Sequence, residues 1–326
     1  MARIFIDGFE SGGLDLWDSI GSGASAIAAP AGMDGSYAGQ VASSNAFLEK
    51  TLSAAAEYYA AFLSKITYTL GGSSSICLLK SGSTILVDIK RNASSGKIEA
   101  YRGSTLIATG TAMLVLSQVY HLQVRANIHD TTGIVQVKVD GILDIDFSGD
   151  TKPGTETTIN AFLIGQTAVN PMTIQFDNVV IDGAAWPGKT NIQAIRSSGA
   201  GNSTQWTPSA GANWDCVDEV PASDADNVVT NANDQVDLYA AGNLVGTVDS
   251  VVCVQVQARA VKEGAATPQN LALGVRTGAT DYFSSDKIIP TAAKSVFNLW
   301  AQNPNTSAAW TKTEVDGVEI GIKSRA

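Results

Sequence analysis

From Tyr120 to Asp150 the chain reads YHLQVRANIHDTTGIVQVKVDGILDIDFSGD, and apolar and polar positions alternate along it. Tyr120, Leu122, Val124, Ala126 and Ile128 stand against His121, Gln123, Arg125, Asn127 and His129. A period of two buries one face and wets the other, as in a strand of an antiparallel sheet. Residues 130–133 supply turn chemistry. A second alternating run sets Val135, Val137 and Val139 against Gln136, Lys138 and Asp140. Asp140-Gly141 is a strong hairpin signal, because glycine accepts the positive φ of a type I′ turn. Residues 142–147 return as a third strand. The pattern predicts a meander that covers or binds, with no catalytic residue pattern on it.

Elsewhere, short β-branched runs are broken by Gly, Ser, Asn or Asp about every ten residues, which argues for sandwiches or barrels. Helix signals are scarce. In the first half the pattern predicts strands over 3–7, 39–42, 46–52, 58–70, 75–80, 84–90, 97–101, 119–128, 134–140, 142–147, 160–164 and 173–181. Residues 102–104 turn a further hairpin into 105–107. So many strands exceed an immunoglobulin sandwich and fit a two-sheet jelly roll. Pro187 and Gly188, in GAAWPGKT, interrupt the pattern, since neither continues a central ladder. The boundary falls there, giving domains of 1–185 and 187–326. A new strand is expected over 191–196, then a long connection over 199–229 held by its tryptophans. Val315-Asp316-Gly317-Val318 reads as another Asp-Gly hairpin.

Composition narrows the function. Charged residues are only 16% of the 326, so the surface is rich in Ser, Thr, Asn, Gly and Ala, suited to broad contacts with neighbours. A net charge of −10 with one basic doublet, Lys90-Arg91, disfavours nucleic acid and anionic membranes. No apolar run is long enough to span a bilayer, and the N-terminus reads as a strand and turn without a signal peptide. Cys77, Cys216 and Cys253 form no CxxC, so each reads as a small hydrophobe in a reducing compartment.

Several pieces together resemble a known family. FIDGFESG with Trp17, HLQVRANIHDTTGIVQVKVDG with DFSGDT, and FDNVVIDG are similar to the concanavalin A-like (laminin-G-like) jelly rolls of tailed-bacteriophage virion proteins. WTPS at 206–209, NWDCVDE at 213–219, DADNVVT at 224–230, NPNTSAAWT at 303–311 and EIGIK at 319–323 resemble the C-terminal β module that accompanies them. The resemblance implies an all-β chain: a two-sheet jelly roll, its last strand beside its first, then a smaller β-sandwich. It also implies a structural protein of the phage particle, made in the host bacterial cytoplasm.

Jelly-roll glucanases place two carboxylates on one strand face. Asp144 and Asp146 share a face, but no Glu lies near them, and solvated carboxylates are the plainer reading. There is no GxSxG elbow. His121 and His129 are about 25 Å apart at strand rise and read as surface residues. Asp130, Asp150, Asp215, Asp218, Glu219, Asp224 and Asp226 are acidic and loop-placed; calcium stays open there, with hydrogen-bonded turns preferred. Trp186, Trp206, Trp214, Trp300 and Trp310 are candidates for loop pinning or subunit contact, with a sugar platform as the other reading.

The expectation is therefore a non-enzymatic virion protein without a cofactor: a capsid decoration or head-fibre protein. It would act by contact with itself, as a homo-oligomer and most plausibly a trimer, and with the major capsid or another virion protein. The alternatives are a tail-fibre adhesin for host surface glycans and a tail structural protein.

Overall fold

The computed structural model describes residues 3–69, 71–166, 172–264 and 268–326. Leu70, the last residue of the strand expected over 58–70, lies outside them. The chain is all-β and divides into two compact units, Met1–Ile192 and Gln193–Ala326.

The first unit holds β1 (Arg3–Asp7), β2 (Ser19–Ile20), β3 (Ala24–Ala28), β4 (Tyr37–Ser43), β5 (Phe47–Ala55), β6 (Glu57–Thr69), β7 (Ser73–Ser81) and β8 (Thr84–Asn92). It continues with β9 (Lys97–Arg102), β10 (Thr105–Met113), β11 (Val119–Asn127), β12 (Gly133–Val139), β13 (Ile142–Gly149), β14 (Ile159–Gly165) and β15 (Met172–Asp182). One sheet runs β13-β12-β11-β6-β15-β4-β3, with β1 on β15; the other runs β10-β9-β8-β7-β14-β5-β2. All the strand pairs are antiparallel, so each strand can bury one face and leave the other polar. The expected meander is β11–β12–β13, and Asp140 and Gly141 turn its hairpin with φ of 50° and 86°. Between the sheets, Phe62 meets Phe162 at 6.3 Å and Phe176 at 6.0 Å. Removing such a ring costs about 3–5 kcal/mol.

FIDGFESG and Trp17 close one end of this core. Trp17 lies edge-on to Phe5 at 5.2 Å and stacks with Phe9 at 6.3 Å. Its Nε1 donates to Asp7 Oδ2 (2.8 Å), and the Phe9 amide donates to Asp7 Oδ1 (2.7 Å). Nearby, the amides of Asp34 and Asn178 donate to the two oxygens of Asp177, at 2.8 and 2.6 Å. Burial pushes both Asp7 and Asp177 up to about 7, against these N–H donors. The Glu10 charge adds to the rise at both, and that of Asp34 adds to it at Asp177.

The second unit is a smaller two-layer sandwich. Strands Ser197–Thr204, Val236–Ala241, Glu319–Arg325, Asn270–Thr277 and Thr280–Phe283 form one layer, with Lys287–Ile288 on Asn270–Thr277. Val254–Ala260 and Lys294–Trp300 form the other. Val256, Leu271, Leu273, Val275, Trp310, Val315 and Val318 are buried together.

Three expectations change here. Residues 191–196 form no strand, and their bonds lie off any ladder: Ile192 N donates to the Asn178 side chain (Oδ1), and the Gln193 side chain exchanges two bonds with the Val245 backbone. The segment 199–229 is more than a connection, since it begins within Ser197–Thr204, which pairs with Val236–Ala241. Its small residues carry no apolar alternation, and a Cβ at Gly201 would lie 2.5 Å from the Leu238 backbone. Val315-Asp316 is not a hairpin: it ends a short helix, α1 (Lys312–Asp316). Thr311 caps α1 and Glu314 reaches back to the Thr311 amide, a capping box that outweighs the Asp-Gly turn signal.

Asp7 and Asp177 carry a consequence for stability. A carboxyl whose folded pKa is raised binds its proton more tightly folded than unfolded. Its contribution is fully present below 3.8 and is lost as pH rises through about 7. The thermal midpoint should therefore be higher at about pH 5 than at about pH 8, and Asp177→Asn should flatten that slope. Calorimetry across this range checks it; a midpoint that rises with pH would contradict the burial argument.

Candidate functional site

The two sheets of the first unit use their outer faces differently. On the β13–β3 sheet, register aligns Tyr59 with Arg125, Ala61 with Gln123 and Leu63 with His121. The segment 183–192 lies over this face. The Trp186 ring meets Tyr59 edge-on at 5.5 Å and lies 4.2 Å from Lys138 Nζ. Gly188 N donates to Gln123 Oε1 (3.0 Å), and Arg3 Nη2 donates to Pro187 O (2.9 Å). His121 is consequently buried, which corrects its reading as a surface residue. Burial, with Lys189 nearby, lowers its pKa. His129 is exposed, and its Nδ1 accepts from the amides of Thr131 and Thr132.

On the other sheet, Ser73 pairs with Asn92, Ser75 with Lys90, Lys90 with Glu99, and Asp88 with Tyr101. Paired residues project to the same side, so these seven share the outer face of β7, β8 and β9. The residues between them, including Cys77, Leu79, Val87, Ile89, Ile98 and Ala100, face the core. Register shifts on β7, between Ser75 and Cys77 and between Leu79 and Lys80, set which residues fall on each side.

The seven form one network. Glu99 accepts from Ser73 Oγ (2.7 Å), Asn92 Nδ2 (2.9 Å) and the Tyr101 hydroxyl (2.9 Å). Asp88 Oδ2 accepts from Ser75 Oγ (2.9 Å) and lies 3.4 Å from Lys90 Nζ. Lys90 Nζ also sits 4.3 Å from the Tyr101 ring centroid. Asp88 Oδ1 is buried with no hydrogen-bond partner among the described residues. Burial pushes Asp88 up to about 6, opposed by Lys90 and Ser75. Burial also works to raise Glu99, but its three donors and Lys90 outweigh it and hold Glu99 below the usual range. Two carboxylates on one face, pushed apart in proton affinity, are the arrangement of an acid paired with a base. Sequence reasoning overlooked both, because they lie eleven residues apart on different strands and follow no motif; the weak signal was polar alternation through DIKRN and KIEAYR.

The earlier candidates are distributed elsewhere. Asp144 Oδ1 accepts from the amides of Thr111 and Ala112, tying β13 to β10, while Asp146 accepts from Gln136. Asp130 pairs with Lys152, Asp150 with Arg102 and Asp224 with Arg259, and Asp226 accepts from Ser209. Among the described residues, no group of three or more His, Cys, Asp or Glu side chains could hold a metal. Trp206 donates to Gln235 O, Ser197 donates to Trp214 O, and buried Trp310 donates to Trp300 O.

No protein-family model matches the chain, and no curated protein matches it. Solved structures do. One is the cellulose-induced protein Cip1, at 15% identity over 57% of this chain and 100% of that one, TM-score 0.45. Another is an endo-β-1,4-glucuronan lyase from the fungus Trichoderma reesei, at 11% identity over 56% and 96%, TM-score 0.45. A sialidase matches at 17% identity over 56% of this chain and 18% of its own, TM-score 0.42. With proteins named as lyases and sialidases among these matches, the expectation of a non-enzymatic chain is corrected. An all-β body with no sequence motif for catalysis was insufficient ground for it.

Trp186→Ala should loosen the segment over the first sheet. Losing the ring contact and the cation–π contact costs about 1–2 kcal/mol. Protease cleavage within 183–192 should accelerate; an unchanged cleavage rate would show that Trp186 does not hold the segment.

Proposed function

We propose that the jelly-roll unit binds a glycan across the outer face of β7, β8 and β9, within a structural protein of a tailed-phage virion. The observation that carries the binding site is the unpartnered, buried Asp88 Oδ1 beside Lys90 and Tyr101. An orphaned buried oxygen is costly, and a sugar hydroxyl is a donor of the right size to relieve it. The half-buried Tyr101 adds an aromatic body with a polar end, suited to sugar contact. The virion setting rests on the motif resemblance, from FIDGFESG to EIGIK.

A second observation favours docking on a particle. Met113, Val115 and Leu116 are exposed beside Tyr120, whose hydroxyl contacts Met113 O and Val115 N. Next to Tyr120, Asp140 N donates to His121 O and the His121 amide donates to Asp140 Oδ1, and this brings in exposed Ile142 and Leu143. Such an apolar corner is suited to contact with a coat protein or with further copies of the chain, as a decoration or head-fibre trimer would make.

Titration of the full chain against a glycan array should reveal binding that Tyr101→Ala and Asp88→Asn each weaken by about tenfold, with the fold retained. Failure of every glycan, or binding indifferent to both substitutions, refutes the site. Rebinding to stripped particles, impaired by Ile142→Asp, tests the docking arm.

A further inference from the structure

We propose that Asp88 and Glu99 act together as general acid and general base in hydrolysing a neutral polysaccharide bound on this face. The inference rests on the glycan-binding reading above and goes one step further. Asp88 and Glu99 sit on adjacent strands as diagonal neighbours, since Asp88 pairs with Tyr101 and Glu99 lies two residues from it. The backbones of diagonal neighbours across an antiparallel pair are about 7–8 Å apart, close enough for the two side chains to bring their carboxyl groups to either side of one glycosidic bond. Glu99 is fixed by three donors, while Asp88 keeps one oxygen without a partner. The free oxygen is where a proton can be carried to a leaving group.

The step balances without a cofactor. The Asp88 carboxyl gives its proton to the glycosidic oxygen as the bond from that oxygen to the anomeric carbon breaks. Glu99 takes a proton from the water that attacks the anomeric carbon. Asp88 is left ionised and Glu99 protonated, and exchange with solvent restores both. Elimination from a uronate is disfavoured by the local charges. It needs positive charge on the sugar carboxylate, and Lys90, the only cation in this network, already faces Asp88 and Glu99. A uronate would bring a third carboxylate to two that are already there.

The groups that face Asp88 are Lys90 on its own strand, Ser75 on β7 and Tyr101 on β9, with Glu99 beyond and the Cys77 thiol on the opposite side of the sheet. Ser75 donates to ionised Asp88, so Ser75→Ala should extend activity to higher pH without removing either carboxyl.

The full chain should be incubated with laminarin, xylan and galactan as neutral probes and alginate as the uronate probe, with binding and new reducing ends read in parallel. Reducing ends should appear from a neutral polymer, falling as pH rises past about 6 as Asp88 ionises. At saturating polymer, Asp88→Asn and Glu99→Gln should each lower the rate by about 100-fold or more, well beyond the roughly tenfold loss of affinity expected of Asp88→Asn. Ser75→Ala should move the alkaline limb upward and supports the assignment even if one of the carboxyl variants fails to fold. Binding without reducing ends overturns the hydrolytic inference and leaves the binding reading intact. Unsaturated ends from alginate overturn the reaction class. Absence of binding to all four polymers overturns the inference together with the site beneath it.

Discussion

The long strands of the first unit must surrender one face to the space between the sheets, and that constraint orders the rest of the structure. The inner faces close around Phe62, Phe162 and Phe176, leaving two outer faces to present polar side chains. One of them takes the segment that leaves the jelly roll, with Trp186 against Tyr59 and Lys138. The other carries Asp88, Lys90, Glu99 and Tyr101. The functional reading of the chain thus follows from what its two sheets do with residues that the core cannot accept.

Much of this was legible along the chain, where a signal is local. The β11–β12–β13 meander could be read from alternation alone, and Asp140-Gly141 from turn chemistry. The return of β15 beside β1 came with the motif resemblance. Signals failed where tertiary contact decides. Ala24–Ala28 and Ser197–Thr204 are built of small residues with no amphipathic pattern, and only pairing makes them strands. α1 was misread because Asp316-Gly317 imitates a hairpin turn, although TKTE at 311–314 spells a capping box. His121 looked exposed because its strand position is polar; the covering segment lies sixty-seven residues further along, at Gly188.

The candidate site was less legible, for a geometric reason. A shift of one residue in strand register exchanges the two faces of a strand. The irregularity between Ser75 and Cys77 sets which β7 side chains join Asp88 and Lys90. From sequence alone, Lys90-Arg91 reads as a basic doublet. In the fold, its members part: Lys90 joins the carboxylates outside, and Arg91 turns inward to donate to Leu114 O.

Energetics also argue that the polar face is not there for stability. A buried ion pair recovers in Coulomb attraction roughly what its desolvation costs, and apolar residues of similar size often serve as well or better. Asp88 is a poor case even by that standard, with one partnered oxygen, one orphan and a proton affinity raised by burial. A sheet selected only for robustness would carry Val or Thr at this position, as the β-branched runs elsewhere in the chain do. Glu99 differs, because three donors satisfy both of its oxygens and leave one acceptor position open. The same face therefore holds one satisfied carboxylate and one left wanting, and a group that finds its missing partner only in a ligand accounts for the difference between them.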